Sequence, residues 1–235
     1  GVNAGGGNLG VPAIQLIGLL VIAVAGNRQP YWVCAVYLVG LVIAAIGASR
    51  YMNNLDIVSV DTASMRAALT HRHTWLVALL YIGTFGSFIG FWFAFAQVLQ
   101  ISYQSSGQSA AQASLHAAQI AFLGPLLGSI ARVFGGKLAD RIGGGRISLY
   151  VFVGMIAGAG LLAVTGTVAG KATSGTPLAL YIVGFIALFI LSGLGNGSVY
   201  KMIPSIFDAA ARSVPGDEAA RAAYSRAMSG AVIGI

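Results

Sequence analysis

Charge is what this sequence has least of. Of 235 residues only 8% are Asp, Glu, Lys or Arg, divided into 6 acids and 13 bases. A water-facing domain carries about 25%, so these residues are too few to coat a soluble globule. Cysteine is almost absent too. Cys34 stands alone, which excludes a disulfide framework and a cysteine metal site and leaves it as a small apolar filler. No nucleophile–base arrangement and no clustered acid pair occurs, so the chain is not read as an enzyme, and no cofactor or metal is expected. His71-Arg72-His73 lacks further ligands and reads as a solvated edge.

What remains is hydrophobic residues at 57%, 33 glycines and a mean hydropathy of +0.83. Apolar runs of about 20 residues match a hydrocarbon core roughly 30 Å thick. The expected fold is all-α, a polytopic bundle of membrane helices. Six spans are predicted, at 3–25, 31–49, 75–99, 115–138, 147–169 and 178–203, and a seventh begins near 228. The polar stretches 50–74 and 205–226 read as linkers, and 102–114 reads as an uncharged loop. The chain opens without Met and closes on an unfinished apolar run, so it is expected to be a piece of a larger bundle.

The formal charge of +7 lies in loops, not along one face, so it reads as a topology signal and not as a nucleic-acid footprint. Loops on one side hold Arg50, Arg66, Arg72, Lys137, Arg141, Arg146, Arg212, Arg221 and Arg226, while the other side holds Arg28 and Lys171. Lys and Arg concentrate on the cytoplasmic side. The 50–74, 137–146 and 205–226 segments are therefore expected inside, with the first span starting there.

All six acids, Asp56, Asp61, Asp140, Asp208, Asp217 and Glu218, are assigned to loops. Two cations remain within spans, and an ionisable group in hydrocarbon is a functional candidate by default. Lys201 precedes Pro204 closely enough for its stem to snorkel to the headgroups. Arg132 has Gly128, Ser129, Gly135 and Gly136 at helical neighbours, a face that packs on helices or lines a cavity. Snorkelling beside Lys137 stays open for it. The other reading is an anion-binding guanidinium, whose planar fork suits a planar oxyanion.

Other spans add weaker signals. Tyr81, Phe85, Phe88 and Trp92 form a helical stripe beside Gly83, Gly86 and Gly90. Asn8, Pro12 and Gln15 share a face in the first span. Gly5-Gly6-Gly7-Asn8-Leu9-Gly10 spells a dinucleotide fingerprint, but no strand precedes it and the first acid is too distant. Gly193, Gly195, Asn196, Gly197 and Ser198 allow tight crossing and an amide in the sixth span.

Gly136-Lys137-Leu138-Ala139-Asp140-Arg141-Ile142-Gly143, with Gly145 and Arg146, resembles the cytoplasmic conformational motif of the major facilitator superfamily. Residues 3–11, with their Gly5, Gly6, Gly7, Asn8 and Gly10, resemble the first signature of its nitrate/nitrite porter family, on the fifth helix. Residues 81–91 resemble that family's seventh helix and 124–132 its eighth. Gly195, Asn196, Gly197 and Ser198, with Met202-Ile203-Pro204 and Phe207, resemble its tenth.

The resemblance implies a register from the fifth helix to the start of the eleventh. Residues 1–49 would be the last two helices of the N-terminal half, 50–74 the central cytoplasmic linker, and 75–235 a C-terminal half truncated in its fifth helix. It further implies substrate contacts from Arg132, Asn8, Tyr81 and Phe85. Gly5, Gly6, Gly7, Gly10, Gly195, Asn196 and Gly197 would serve as signature and packing residues. Gly136, Asp140, Arg141, Gly143 and Arg146 would form the conformational motif.

The implied function is alternating-access transport of nitrate and nitrite across a bacterial cytoplasmic membrane. The absence of acids from the spans favours antiport. Proton-coupled nitrate symport, and exchange of another small anion such as a carboxylate, remain alternatives. A redox membrane subunit would need intramembrane carboxylates or cofactor ligands, and a purely structural helix module leaves Arg132 unexplained. The implied partners are nitrate and nitrite anions, the lipid bilayer and the missing N-terminal helices of the same protein.

Overall fold

Every regular element in the computed structural model is a helix among the described residues, which are 6–25, 31–53, 62–169 and 176–234. In chain order these are α1 (Gly10–Ala25), α2 (Tyr31–Tyr51), α3 (Thr62–Thr70), α4 (Arg72–Tyr81), a π turn (Ile82–Gly86) and α5 (Ser87–Ser105). They continue as α6 (Ala110–Ala121), α7 (Leu123–Ile142), α8 (Gly144–Ala169), α9 (Thr176–Ala211) and α10 (Glu218–Gly234). Among the described residues six continuous helical stretches are long and apolar enough to cross a membrane, so this is a multi-pass membrane protein.

The helices overrun the predicted spans. The third stretch covers Arg72–Ser105 and the fourth Ala110–Ile142, leaving a short turn where a 13-residue loop was expected. Ser109 and Gln112 start α6 with a reciprocal capping box, which satisfies two otherwise orphan N–H groups. Phe122 alone interrupts α6 and α7, and Pro125 falls in the first turn of α7, where its missing N–H costs nothing. Gly143 ends α7 at φ +92°, a conformation only glycine adopts readily.

The 205–226 segment is not a linker throughout. Helix α9 passes Pro204 and continues to Ala211, and α10 already begins at Glu218. The overrun is held by packing, because Phe207 and Ala211 are buried against the far end of the bundle. The Asp217 carboxylate caps α10 by accepting the Ala220 N–H at 2.8 Å. Part of the 50–74 segment is helical as well, with α3 packed on α10.

Three acids assigned to loops consequently lie on helices, Glu218 as the first residue of α10. Asp140 is near the end of α7, and Asp208, which accepts a hydrogen bond from Ser225, is near the end of α9. Asp56 and Asp61 lie outside the described residues.

Helix α9 is the hub, packing most extensively on α7 and α8. Phe88, Phe95, Leu99, Phe185 and Phe189 fill one cluster where α5 meets α9. Val77, Val199, Ile203, Phe207 and Met228 fill another where α4, α9 and α10 meet. Between the two clusters sits the π turn. Such a turn widens the helix by a residue and disturbs its carbonyl ladder. The Thr84 hydroxyl donates to Leu80 O at 3.0 Å within the span, and the Ser192 hydroxyl donates to Thr84 O at 2.8 Å. The second bond ties α9 to the irregular stretch of the third span.

Candidate functional site

The small residues of α7 let α9 approach at backbone distance. A Cβ at Gly193 would strike the Gly128 carbonyl, and one at Gly197 would strike that of Arg132. A Cβ at Gly128 would lie 2.6 Å from the Phe88 ring. With glycine filling the near face, the Arg132 side chain occupies the space between α7, α9 and the π turn.

Arg132 is only 4% exposed, too deep for a snorkelling side chain. Its guanidinium carbon lies 5.0 Å from the Tyr200 ring centroid and 5.9 Å from that of Phe85. Tyr81 stacks on Phe85 at 5.2 Å and meets Tyr200 edge-on at 5.4 Å. Aromatic faces attract a cation, by up to about 2 kcal/mol where water is excluded. The Tyr81 phenol is a hydrogen-bonding neighbour of the guanidinium, but Arg132 Nε has no hydrogen-bond partner among the described residues. A buried guanidinium held by rings with an N–H unused can receive an anion and fix its plane.

The structure thus brings together Arg132, Tyr81 and Phe85 of the predicted site residues. Asn8 is half-buried at the start of the first span, whose helix packs on α6 and α7. None of the ring contacts around Arg132 involves it. Gly5 lies outside the described residues. Beside Gly6, Gly7 and Gly10 there is open space for 4 Å, so no helix crossing is made there by the described residues. Gly195 faces Thr84 and Val151, and Asn196 is 1% exposed.

In the loop motif, Gly136 is buried under Gly197, Gly143 forms the turn, and Arg141 and Arg146 are exposed. Lys201 does not snorkel alone. Its ammonium pairs with Asp140 at 3.1 Å, joining α9 to the end of α7. Both partners are about half exposed, so the pair contributes no more than about 1 kcal/mol.

Sequence reasoning missed Tyr200, which forms the floor beneath Arg132. Its place in the four-residue series Ser192, Asn196, Tyr200 was the available signal. It also read His71 as solvated. The His71 ring instead lies 5.3 Å from both His73 and Phe207. Burial lowers its pKa below the ordinary 6.5, and the nearby His73 and Arg72 add to the effect.

A profile of the Major Facilitator Superfamily matches residues 1–235. The chain is 36% identical over 225 residues to the nitrate/nitrite transporter NarU of Salmonella typhimurium, covering 88% of this chain and 45% of the relative. It is 35% identical over 227 residues to the Escherichia coli protein of the same name, with the same coverage. It is 30% identical over 244 residues to the probable nitrate/nitrite antiporter NarK2 of Thermus thermophilus, covering 95% of this chain and 53% of the relative. The chain spans about half the length of these curated relatives.

Proposed function

We propose, from the premise that this chain belongs to the major facilitator superfamily, that it forms half of the anion site in a bacterial cytoplasmic-membrane transporter exchanging nitrate and nitrite. The observation that carries this reading is the buried Arg132 guanidinium, held between Phe85 and Tyr200 with Nε unused. A fixed, desolvated positive charge favours a small anion, and planar rings flanking it favour a planar one. The named substrates of the related transporters fit that chemistry.

Residues 1–49 supply the last two helices of the N-terminal half in this proposal, 50–74 the central linker, and 75–235 helices of the C-terminal half. The halves rock about the site to expose it to each side in turn. On this proposal Asn8 contributes to the same path from the first span. The Gly136–Arg146 segment and the Lys201–Asp140 pair lie at the end of the bundle that closes toward the cytoplasm.

The arrangement favours exchange over proton symport. A proton carried through the membrane needs a titratable group near the midplane. Among the described residues the acids Asp140, Asp208, Asp217 and Glu218 cluster instead at one end of the helices. Leaving the buried Arg132 charge uncompensated is unfavourable, so reorientation occurs with an anion bound. Nitrate uptake by the full-length protein in proteoliposomes is expected to rise strongly with nitrite inside and to respond little to an imposed pH gradient. Uptake driven by the gradient and indifferent to internal nitrite would establish symport.

Orientation has its own check. Nine Lys and Arg residues assigned to one side against two on the other favour the 106–109 turn outside and the 212–217 turn inside. In the full-length protein, Gln108→Cys is expected to react with an impermeant thiol reagent from outside, and Asp217→Cys only after permeabilisation. The reverse pattern would invert both the orientation and the helix register.

A further inference from the structure

We propose that Asn196 is a selectivity residue of this anion site, donating from its side-chain amide to an oxygen of the anion held by Arg132 and so favouring planar oxyanions over chloride. The proposal rests on reading the Arg132 cluster as an anion site.

Its first support is an imbalance within α9. Among the described residues of this helix three polar side chains are buried: Ser192, Asn196 and Ser198. Ser192 donates to Thr84 O at 2.8 Å and Ser198 donates to Gly144 O at 2.9 Å, each across a helix contact. Asn196 is 1% exposed, yet neither Nδ2 nor Oδ1 has a partner among the described residues. A side-chain amide offers two donors and an acceptor, and leaving all of them dry and unused is costly. An asparagine retained for packing would bond to a neighbouring helix, as its two serine neighbours do.

Its second support is position. Residues three, four and seven apart share a helix face. Phe189 is seven residues before Asn196 and lies edge-on to Phe88 at 5.2 Å. Tyr200 is four residues after it and lies under the Arg132 guanidinium at 5.0 Å. Asn196 therefore projects between the aromatic cluster and the guanidinium, about 6 Å along the helix from Tyr200. Gly197, the next residue, abuts the Arg132 backbone. Asn196 Nδ2 and Arg132 Nε, two buried groups with unused N–H, thus stand on two helices that cross at Gly197.

The chemistry of the ligand follows from that pairing. A planar oxyanion has oxygens pointing in different directions within one plane, so one edge can accept from the guanidinium while another oxygen accepts from the amide. A halide presents a single centre and cannot span donors set on separate helices equally well. Removing the amide should consequently weaken nitrate much more than chloride.

The test measures nitrate affinity, and chloride as competitor, for purified full-length protein in detergent. Asn196→Ala removes the amide without adding bulk to a tightly crossed helix. Asn196→Asp keeps its shape while exchanging the donor for a carboxylate facing the anion. Asn196→Ala is expected to lower nitrate affinity about tenfold, the scale of one lost hydrogen bond, with chloride nearly unchanged. Asn196→Asp should lose nitrate binding more severely, which a role in shape or packing alone would not produce. Wild-type nitrate affinity in either folded variant, or an equal fall for both anions, would overturn the selectivity role while leaving the anion site intact. Failure of the wild type itself to bind nitrate would overturn both readings.

Discussion

Replacing Arg132 with Lys in the full-length protein is expected to weaken nitrate binding about 10- to 100-fold, although the positive charge is retained. A lost charge-assisted hydrogen bond in a buried site costs about 1.5–3 kcal/mol, which corresponds to that range of affinity. Lys offers a point charge on a flexible stem in place of a rigid planar fork. It also loses the flat contact with Tyr200 and Phe85, whose rings hold the guanidinium at 5.0 and 5.9 Å. Arg132→Gln removes the charge as well and is expected to abolish binding at any accessible nitrate concentration. Titration of folded, monodisperse variants with nitrate separates the outcomes. Near wild-type affinity in the Lys variant would show that the charge alone, and not the fork, recognises the anion.

The charge economy of the sequence made Arg132 legible. Among so few cations, one flanked by glycines at helical spacing stands apart from the loop bases, and the structure places it 4% exposed. Tyr81 and Phe85 were legible for a related reason, since their four-residue spacing puts both rings on one face. What stacks them beside Arg132 is the π turn at Ile82–Gly86, which hydropathy does not register. Tyr200 stayed hidden because a tyrosine near a helix end reads equally well as an interfacial anchor. The pairing of Lys201 with Asp140 was hidden by the assignment of Asp140 to a loop.

Boundary errors share one cause. Span length was set by where polar residues begin, but Phe207 and Ala211 bury themselves beyond Pro204 and carry α9 onward. Propensity would end the helix there, and tertiary packing overrides it. The same packing explains α3 and the early start of α10, which cover each other at the positively charged end of the bundle.

The crossing of α7 and α9 sets the second large effect. Gly197→Ala is expected to destabilise the protein by about 3 kcal/mol or more, the upper part of the range for overpacked sites. The added methyl would meet the Arg132 carbonyl, a backbone atom that no rotamer change can move aside. Helix α9 must therefore separate from α7, carrying Tyr200 away from the guanidinium and loosening Phe189 against Gly124 and Gly128. Gly193→Ala would do the same one turn earlier, at the Gly128 carbonyl. Because both act by pushing the same pair of helices apart, the double variant should cost much less than the sum of the two.

Gly160→Ala supplies the control, since a Cβ there meets nothing within 4 Å and alanine favours helix by roughly 1 kcal/mol over glycine. Thermal unfolding in detergent should rank Gly160→Ala at or above wild type, with Gly197→Ala and Gly193→Ala well below and the double variant close to either. A wild-type Tm for Gly197→Ala would mean that the backbones stand farther apart than this crossing requires. The Arg132 pocket would then owe its shape to something other than the glycine face.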